Sequence, residues 1–411
     1  MGFWDALMVG PLGGDALAAS GTAGMNSFAI MILPMGTVFI VQSFVAQLVG
    51  RGRLEETRRY GWYGLMIAAF AGVCSLIALP FIAFLISGFH YTPNVRTLME
   101  AYLLMRLPSV FAVVGTEALG NWYGGLGNTR LQMMSSLAAM VVDMFLNWAM
   151  IYGHAGFPAM GVAGAALSST IGSYVGFAIL FVTFARGGGG APPKPAVLGL
   201  RWRELKRMLR FGLPNGANWL FEFAAFLIFI NVVVAHLGTP ALAALNIVIQ
   251  VNSVAFMPSF GLASAGAILV GQAVGAGRKD DVWPIVRRTG LAAMVWMGSL
   301  GLVYLIFARP IVALFAREGV RELAHVDLEQ VRVLGATMLM MSTAWQAFDA
   351  IAMTLSETLR AAGDSAWTLG ARLVLAWAVF APAGWLLVIH LGGGLGGRAR
   401  DPEPGARHAG A

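Results

Sequence analysis

Apolar stretches long enough to cross a lipid bilayer recur along nearly the whole chain, separated by short polar loops. A helix needs about 20 mainly apolar residues to span the hydrocarbon core of a bilayer. Hydrophobic residues make up 58% of the chain and charged residues 11%, and the mean hydropathy is +0.73. This composition excludes a soluble globular protein and predicts an all-α polytopic membrane protein.

The hydrophobic pattern predicts ten helices of spanning length and one short helix at the start of the chain. The short segment reads as part of a helix whose remainder is missing, and the stretch after residue 391 has no spanning segment. The predicted helices cover approximately residues 3–9, 16–48, 60–87, 95–123, 131–152, 162–185, 211–236, 240–270, 282–315, 328–360 and 366–391.

The second half of the sequence repeats the first. PLGGDALAA at 11–19 matches HLGTPALAA at 236–244, and QLVGRGRLEE at 47–56 matches QAVGAGRKDD at 272–281, both with an offset of 225 residues. LGNT at 126–129 matches AGDS at 362–365 with an offset of 236. Six predicted helices separate the two copies, so both copies have the same orientation in the membrane. The repeat predicts two six-helix bundles in which helix 1 is partial and helix 12 is missing.

Composition and charge predict the domain boundaries and the topology. Most Lys and Arg residues fall in alternate loops, which places those loops in the cytoplasm. The final stretch is rich in Gly, Pro and charged residues and cannot build a core. We expect an N-terminal bundle at 1–186, a cytoplasmic linker with an amphipathic helix at 187–210, a C-terminal bundle at 211–391 and a disordered tail at 392–411.

Two predicted helices carry an acidic residue within a polar stripe. Glu222 shares a helix face with Asn215 and Asn218, and Asp349 follows Ser342 and Gln346 on the helix at 328–360. A carboxylate at the centre of a membrane helix costs about 2.5–3.5 kcal/mol, so it usually faces the bundle interior or a wet cavity. These stripes indicate an ion or substrate site; a hydrogen bond between helices is the simpler interpretation.

The remaining reactive side chains indicate no catalytic centre. Cys74 is the single cysteine and lies in an apolar run, and the six histidines have no metal-ligand spacing. No signature of an intramembrane protease or metalloenzyme is present. The sequence predicts no enzyme activity, no metal site and no organic cofactor. The net charge of +7 is a topology signal rather than evidence of nucleic-acid binding.

Several segments together resemble the multidrug and toxic compound extrusion (MATE) family, in its NorM-like bacterial branch. The resemblance covers about residues 1–391, and the chain looks truncated at both ends relative to the family. It implies two six-helix bundles around a V-shaped cavity. The segments that carry it are WDALMVGPLGGDALAA, QLVGRGR, GNTR followed by DMFLN, FPAMGVAGAALSS, LPNGANWLFE, GQAVGAGRKDD and FDAIAMTLSETLRAAGDS.

The resemblance implies cation or proton sites in both bundles. In the second bundle, Glu222 matches the family's helix-seven glutamate and Asp349 its helix-ten aspartate. Trp345 stands where some Na⁺-coupled members have a tyrosine, and it offers no oxygen ligand, which favours H⁺ over Na⁺. We also expect the substrate cavity to include Asn215, Asn218, Gln346, Trp345 and Asn26.

In the first bundle, Asp5 matches the helix-one aspartate of the family. Asp143 and Asn147 fall on a helix-five pair whose usual order is Asn first, so the order here is reversed. The two residues are four apart and share a helix face. If the first helix is truncated, Asp5 could instead be exposed and idle.

The resemblance implies an antiporter of the bacterial plasma membrane that exchanges H⁺ or Na⁺ for cationic, lipophilic drugs and works as a monomer. A buried carboxylate suits this task because it can hold a proton or a cation but not both. A second hypothesis is a lipid-linked oligosaccharide flippase, for which Arg106 within predicted helix 95–123 is the main cationic candidate. Two further hypotheses are an intramembrane enzyme or receptor, and an inactive truncated product of a MATE gene.

Overall fold

The computed structural model describes residues 2–88, 91–188, 199–230, 239–319, 328–375 and 378. Within these ranges the chain is helical and contains no strand. Short 3-10 turns join several of the helices. The helices are α1 Gly2–Val9, α2 Gly14–Val38, α3 Val41–Gly50, α4 Thr57–Ala78, α5 Ile82–Ser87, α6 Pro93–Arg106, α7 Val110–Gly125, α8 Thr129–Tyr152, α9 Val162–Ala185, α10 Trp202–Ile228, α11 Thr239–Gly275, α12 Val282–Gly319, α13 Leu328–Ala362 and α14 Ser365–Leu373.

The all-α membrane architecture predicted from the hydrophobic pattern is confirmed. Among the described residues, seven helical segments are long and apolar enough to cross a membrane. Helices α10 and α13, which carry the two polar stripes, are not among the seven. The segments are Gly14–Gly50, Leu54–Phe84, Pro93–Gly125, Thr129–Tyr152, Val162–Ala185, Pro240–Gly275 and Lys279–Phe315.

Helix α10 differs from its prediction. The sequence suggested a separate amphipathic surface helix before a spanning helix that starts at residue 211, but one helix runs without a break from Trp202 to Ile228. The basic, amphipathic composition of the residues before 211 suggested a boundary. Pro214 lies inside the helix, where a proline is tolerated because neighbouring groups satisfy the freed backbone. The ends of predicted helices 211–236 and 366–391 and the tail at 392–411 lie outside the described residues.

The sequence repeat is also a repeat of backbone conformation. Gly52 and Gly277 have φ angles of 71° and 75°, and each is preceded by a helix that ends in the same way. The N–H of Arg53 donates to Leu48 O, and the N–H of Arg278 donates to Ala273 O, both at 2.9 Å. These are Schellman-type helix ends, which require a left-handed residue that glycine supplies without strain.

The second repeated motif, LGNT at 126–129 and AGDS at 362–365, forms the same kind of helix end in both copies, which are 236 residues apart. Gly127 and Gly363 have φ angles of 82° and 97°. The N–H of Asn128 donates to Tyr123 O and that of Asp364 donates to Leu359 O, again at 2.9 Å. Equivalent residues of the two halves therefore adopt equivalent structures at the ends of α3, α7, α11 and α13.

The chain divides into two compact units. The first comprises Met1–Leu220, Phe260–Ala293 and Ala350–Gly370. The second comprises Phe221–Ser259, Met294–Asp349 and the described residues from Ala371 onward. Three apolar clusters form the core of the first unit: one around Met99 and Tyr102, one around Trp122 and Phe184, and a smaller one around Val270 and Val286. The second unit has a core of α11, α12 and α13 residues.

Helix α12 bends within the second unit. Phe307 has non-helical torsions of φ −113° and ψ 19°, three residues before Pro310. A proline inside a helix lacks the N–H that would bond to the carbonyl four residues earlier and its ring crowds that carbonyl, which is Ile306 here. The bend is the local consequence of Pro310.

Candidate functional site

The first unit buries a cluster of two aspartates, one asparagine and one serine. Asp5 comes from α1, Asp143 and Asn147 come from α8, and Ser169 comes from α9; all four side chains are buried. Asn147 donates its side-chain amide to Asp5 Oδ1 at 2.7 Å. The hydroxyl oxygen of Ser169 lies 2.9 Å from Asp5 Oδ2 and 2.9 Å from Asp143 Oδ1. The structure therefore brings together the three residues that the sequence singled out in the first bundle.

A hydroxyl group has one hydrogen, so Ser169 can donate to only one of the two carboxyl groups at a time. The second short contact becomes a hydrogen bond only if that carboxyl group carries a proton and donates to the serine oxygen. Asp5 also accepts from Asn147, whereas Asp143 Oδ2 has no hydrogen-bond partner among the described residues. One proton on Asp143 would thus complete the chain Asp143, Ser169, Asp5.

Close helix packing holds this cluster together. Asp143 and Asn147 are one turn apart on α8, so both point toward the same neighbours. Gly164 lets α9 approach α8, because an added Cβ would lie 2.7 Å from Met150 O. Tyr152 anchors the end of α1 by donating its hydroxyl to Met8 O at 2.6 Å. The short helix α1 is therefore held in place, and Asp5 is buried rather than exposed.

A cationic side chain stands beside the cluster. Arg106, at the end of α6, donates to Ser173 Oγ at 3.4 Å, and Ser173 donates to Ser169 O at 2.7 Å. Arg106 lies within electrostatic range of Asp143. The site is therefore an acidic pair with one positive charge at its edge.

The second unit contains the other pair of predicted acids. Glu222 is exposed, with 59% of its side chain accessible, and accepts a 2.6 Å salt bridge from Arg372 of α14. Asp349 is partly buried and lies within electrostatic range of both Glu222 and Arg372. The two acids therefore belong to one electrostatic cluster, and an arginine of the chain already contacts one of them.

A polar layer lies one to two turns before Asp349 on α13. Ser342 and Gln346 both donate to Asn252 Oδ1 of α11, each at 3.2 Å. Gln346 is 3% exposed, and its Oε1 is buried without a partner among the described residues. The polar stripe read from the sequence is thus satisfied in part by a hydrogen bond between helices.

The other predicted cavity residues occupy different environments. Asn215 is buried and donates to Gly36 O of α2 at 2.6 Å, which is an interhelical hydrogen bond. Asn218 is buried, Trp345 is 53% exposed and Asn26 is exposed. Among the described residues no group of His, Cys, Asp and Glu could hold a metal ion.

The profile of the family described as MatE matches residues 1–149 and 219–386. The chain belongs to the MatE family. Similar curated proteins include the probable multidrug resistance protein NorM of Thermotoga maritima, 26% identical over 94% of this chain and 81% of the relative. The probable multidrug resistance protein NorM of Bradyrhizobium diazoefficiens is 28% identical over 94% of this chain and 82% of the relative.

Solved structures similar to this MatE chain share its fold. A MATE crystallised in complex with MaL6 aligns with a TM-score of 0.87 at 19% identity, over 96% of this chain and 86% of that one. A MOP superfamily transporter from Pyrococcus furiosus aligns with a TM-score of 0.86 at 18% identity, over 96% of this chain and 85% of that one. Together with the seven apolar helices, the family match and the NorM relatives identify a multi-pass protein of the bacterial inner membrane.

Three site residues of this MatE protein were not predicted from the sequence. Ser169 lies in the quoted segment FPAMGVAGAALSS, but a small hydroxyl in a glycine-rich helix usually indicates close packing. Asn252 is a single amide in an apolar helix, and Arg372 was read only as a topology signal. A search for polar residues at mid-helix depth would have found Asn252; nothing local distinguishes Ser169.

Proposed function

We propose that this MatE protein is a multidrug exporter that exchanges protons for cationic, lipophilic compounds. The relatives from Thermotoga maritima and Bradyrhizobium diazoefficiens carry the name multidrug resistance protein. The observation that carries proton coupling is the position of the Ser169 hydroxyl, which lies 2.9 Å from one oxygen of Asp5 and 2.9 Å from one oxygen of Asp143. A buried pair of carboxyl groups around one hydroxyl is chemically suited to hold a single proton.

Exchange follows from the charge of this cluster. Without the proton, two buried carboxylates face each other across one hydroxyl, and their repulsion is strong where the dielectric constant is low. A proton relieves that repulsion, and so does a positively charged substrate nearby. Because each relieves the same charge, binding of one weakens binding of the other, and this competition is what an antiporter requires.

Asn147 and Arg106 have supporting roles in this proposal. Asn147 donates to Asp5 and so holds that carboxylate in position while Asp143 is protonated and deprotonated. Arg106 lies at the edge of the cluster, to which it is linked by its hydrogen bond to Ser173. Its positive charge weakens the affinity of the two carboxyl groups for a cation. A site that releases its cargo must bind it only moderately.

The cationic substrate is proposed to bind the second cluster as well as the first. Glu222 is exposed and bound to Arg372, so a cationic drug would compete with an internal cation for the same carboxylate. Asp349 lies near both groups and adds negative charge to the site. The half-exposed indole of Trp345 supplies a flat apolar surface of the kind that binds aromatic cations.

The test is transport by the purified full chain in proteoliposomes. Ethidium is the probe, and its movement is followed with an imposed pH gradient in Na⁺-free buffer and with an imposed Na⁺ gradient at equal pH. The proposal expects uptake driven by the pH gradient alone and lost in Asp143→Asn. Uptake driven only by Na⁺ would contradict proton coupling, and no ethidium movement under either gradient would contradict multidrug export.

A second candidate is transport of an anionic, lipid-linked substrate, which Arg106 favours because it is a cation beside the first cluster. An Arg106→Gln variant separates the two functions. Binding of a cationic drug should persist or strengthen after Arg106→Gln, because a repelling charge is removed. Flipping of an anionic lipid-linked sugar should instead be lost.

A further inference from the structure

An arginine is buried near the end of α13. Arg360 is 2% exposed, and its guanidinium lies 4.1 Å from the centroid of the Phe39 ring. It donates to Phe39 O and to Ser43 Oγ, each at 3.2 Å, and to Gln42 Oε1 at 3.4 Å. A buried guanidinium needs such acceptors, because burying an unsatisfied charge is costly. All of these residues belong to the first compact unit.

The carbonyl of Phe39 can accept from Arg360 because the helix breaks between α2 and α3. In a continuous helix this carbonyl would accept from the N–H of Ser43, four residues later. Here that N–H donates to Ile40 O at 3.0 Å instead, and the backbone bond to Phe39 O is a long one, 3.4 Å from the N–H of Gln42. A buried carbonyl group requires a good partner. An arginine of the second repeat therefore completes the helix break of the first.

Two glutamines extend this contact along α3. Gln42 donates its amide to Ser264 Oγ of α11 at 2.9 Å, and Gln47 donates to Ala361 O of α13 at 2.8 Å. Helix α3 of the first repeat is thereby hydrogen-bonded to two helices of the second repeat. These contacts form what we call the α3 lock, whose donors are Gln42, Gln47 and Arg360.

The internal repeat does not account for the α3 lock. The residue 236 positions before Arg360 is Gly124, which has no side chain to donate. The residue 225 positions after Phe39 is Ser264, which lies inside the continuous helix α11. The second repeat thus contributes the arginine, and the first contributes the helix break that accepts from it. A contact that is made once, by unlike partners, is not needed for either repeat to fold.

The α3 lock lies at the predicted cytoplasmic end of its helices. Helices α3, α11 and α13 end at Gly50, Gly275 and Ala362, and the distribution of Lys and Arg predicts that the loops after them are cytoplasmic. Alternating access requires the two repeats of a transporter to separate at one end in one state and at the other end in the other. The inference therefore rests on the proposed export function, which requires the lock to open in every cycle.

The partners of Arg360 allow the α3 lock to open without splitting an ion pair. The carboxylate bound to Arg360 is that of Glu357, three residues earlier on α13 itself, so the salt bridge moves with the arginine when α13 leaves α3. The contacts that must break are to neutral oxygens at 3.2–3.4 Å, at or beyond the usual range for hydrogen bonds from N–H groups. Opening therefore avoids the large cost of leaving one member of a buried ion pair alone.

We propose that Arg360 is the latch of a cytoplasmic gate. In the closed state, which this structure represents, Arg360 binds the break between α2 and α3. In the open state α11 and α13 move away from α3, and the donors Gln42, Gln47 and Arg360 exchange their partners for water. The pair of Arg360 and Glu357 persists on α13 in both states.

The experiment measures how often α3 and α11 separate in the purified full chain in detergent. Ala46 of α3 is fully buried, and a Cβ added to Gly271 of α11 would lie 2.8 Å from the Ala46 Cβ. The substitution Ala46→Cys therefore places a thiol inside the closed gate. Cys74, the only cysteine of the chain, is replaced by serine in every variant. A water-soluble maleimide then labels the thiol only when the gate opens.

Two substitutions should change the labelling rate in opposite directions. Arg360→Gln removes the latch and should speed labelling at Ala46→Cys by about tenfold or more, as expected when hydrogen bonds from a charged donor are lost. Glu357→Gln should slow labelling, because the arginine would then leave its acceptors without an ion-pair partner. Ala165→Cys is the matched control, since Ala165 lies in an apolar core of the first repeat; its labelling should not respond to either substitution.

Three results of the labelling experiment would overturn the gate. Arg360→Gln could speed labelling equally at Ala46→Cys and Ala165→Cys, which would mean a general loosening of the fold. Arg360→Gln could leave the rate at Ala46→Cys unchanged, or Glu357→Gln could raise it. None of these readouts depends on transport, so the gate and the proposed export function can fail separately.

A cross-link tests whether the gate must open for transport. The pair Ala46→Cys and Gly271→Cys needs a shift of about 1 Å to reach the usual Cβ–Cβ spacing of a disulfide, about 3.8 Å. In proteoliposomes, oxidation of this pair should stop ethidium uptake and reduction should restore it. Uptake by the fully cross-linked protein would overturn the gate. An absence of uptake by the unmodified chain would instead count against the export function, and the labelling rates would still decide the gate.

Discussion

Asn147 donates a 2.7 Å hydrogen bond to Asp5, although 142 residues separate the two in sequence. The bond joins α1 to α8. Asp143 lies one turn away on α8, and the hydroxyl of Ser169 lies between it and Asp5. Two acidic residues from distant helices thereby become one chemical unit.

Asn147→Ala should lower stability and reduce drug export. The substitution leaves a buried carboxyl group without its amide donor, which costs about 1.5–3 kcal/mol for a hydrogen bond to a charged group. Thermal unfolding in detergent measures the loss. Asn26→Ala is the matched control, because Asn26 is an exposed helical asparagine; its effect on stability should stay within about 0.5 kcal/mol.

Ser169→Ala should uncouple drug movement from the pH gradient, whereas Ser169→Thr should preserve coupling. Alanine removes the hydroxyl that lies between the two carboxyl groups, and threonine keeps it. Ethidium uptake in proteoliposomes, with and without a pH gradient, distinguishes the two variants. Coupled uptake by Ser169→Ala would mean that the bridge has no part in proton exchange.

Arg372→Gln should strengthen binding of cationic drugs, because it removes the internal cation that contacts Glu222 at 2.6 Å. Removing one competing charge at a partly exposed site should lower Kd for ethidium by about threefold to tenfold. Glu222→Gln should raise Kd, and the double variant should resemble Glu222→Gln. A titration of ethidium fluorescence against the purified protein measures all three, and an unchanged Kd in Arg372→Gln would remove Glu222 from the drug site.

Gly50 and Gly275 occupy equivalent positions of the repeat, and each packs against the backbone of the other copy. A Cβ on Gly50 would overlap Gln272 O, and one on Gly275 would overlap Gln47 O. Gly50→Ala or Gly275→Ala should destabilise the protein by about 1–3 kcal/mol through overpacking. Gly261→Ala, on the same helix as Gly275 but with open space around it, should be neutral or stabilising by up to about 1 kcal/mol. Equal effects at Gly261 and Gly275 would contradict this account of the packing.

The sequence was sufficient for the helices and for the repeat, because both depend on local patterns. Hydrophobic length located seven of the ten predicted spanning helices, and matched motifs at a fixed offset placed Gly52 and Gly277 in equivalent turns. The continuity of α10 was not predicted, since the change from basic, amphipathic sequence to apolar sequence at residue 211 resembles a boundary when neighbouring helices are unknown. Local signals do not report what packs against a segment.

The site was predictable in part. Asp5, Asp143 and Asn147 were identified from the resemblance to the family, and the structure brings them into contact. Ser169 was missed because its role depends on the approach of α9 to α8, which a single sequence does not encode visibly. Asn215 shows the reverse case: an amide expected in the cavity instead donates to the backbone of Gly36.

The most direct test of proton exchange is the release of protons when a drug binds. Ethidium is added to the purified full chain in weakly buffered, Na⁺-free detergent solution near neutral pH, and a pH indicator follows the released protons. The account predicts that the wild type releases about one proton for each ethidium bound, because one carboxyl proton completes the cluster around Ser169, and that Asp143→Asn binds ethidium without releasing any. Ethidium binding by the wild type without proton release, or equal release by Asp143→Asn, would contradict it.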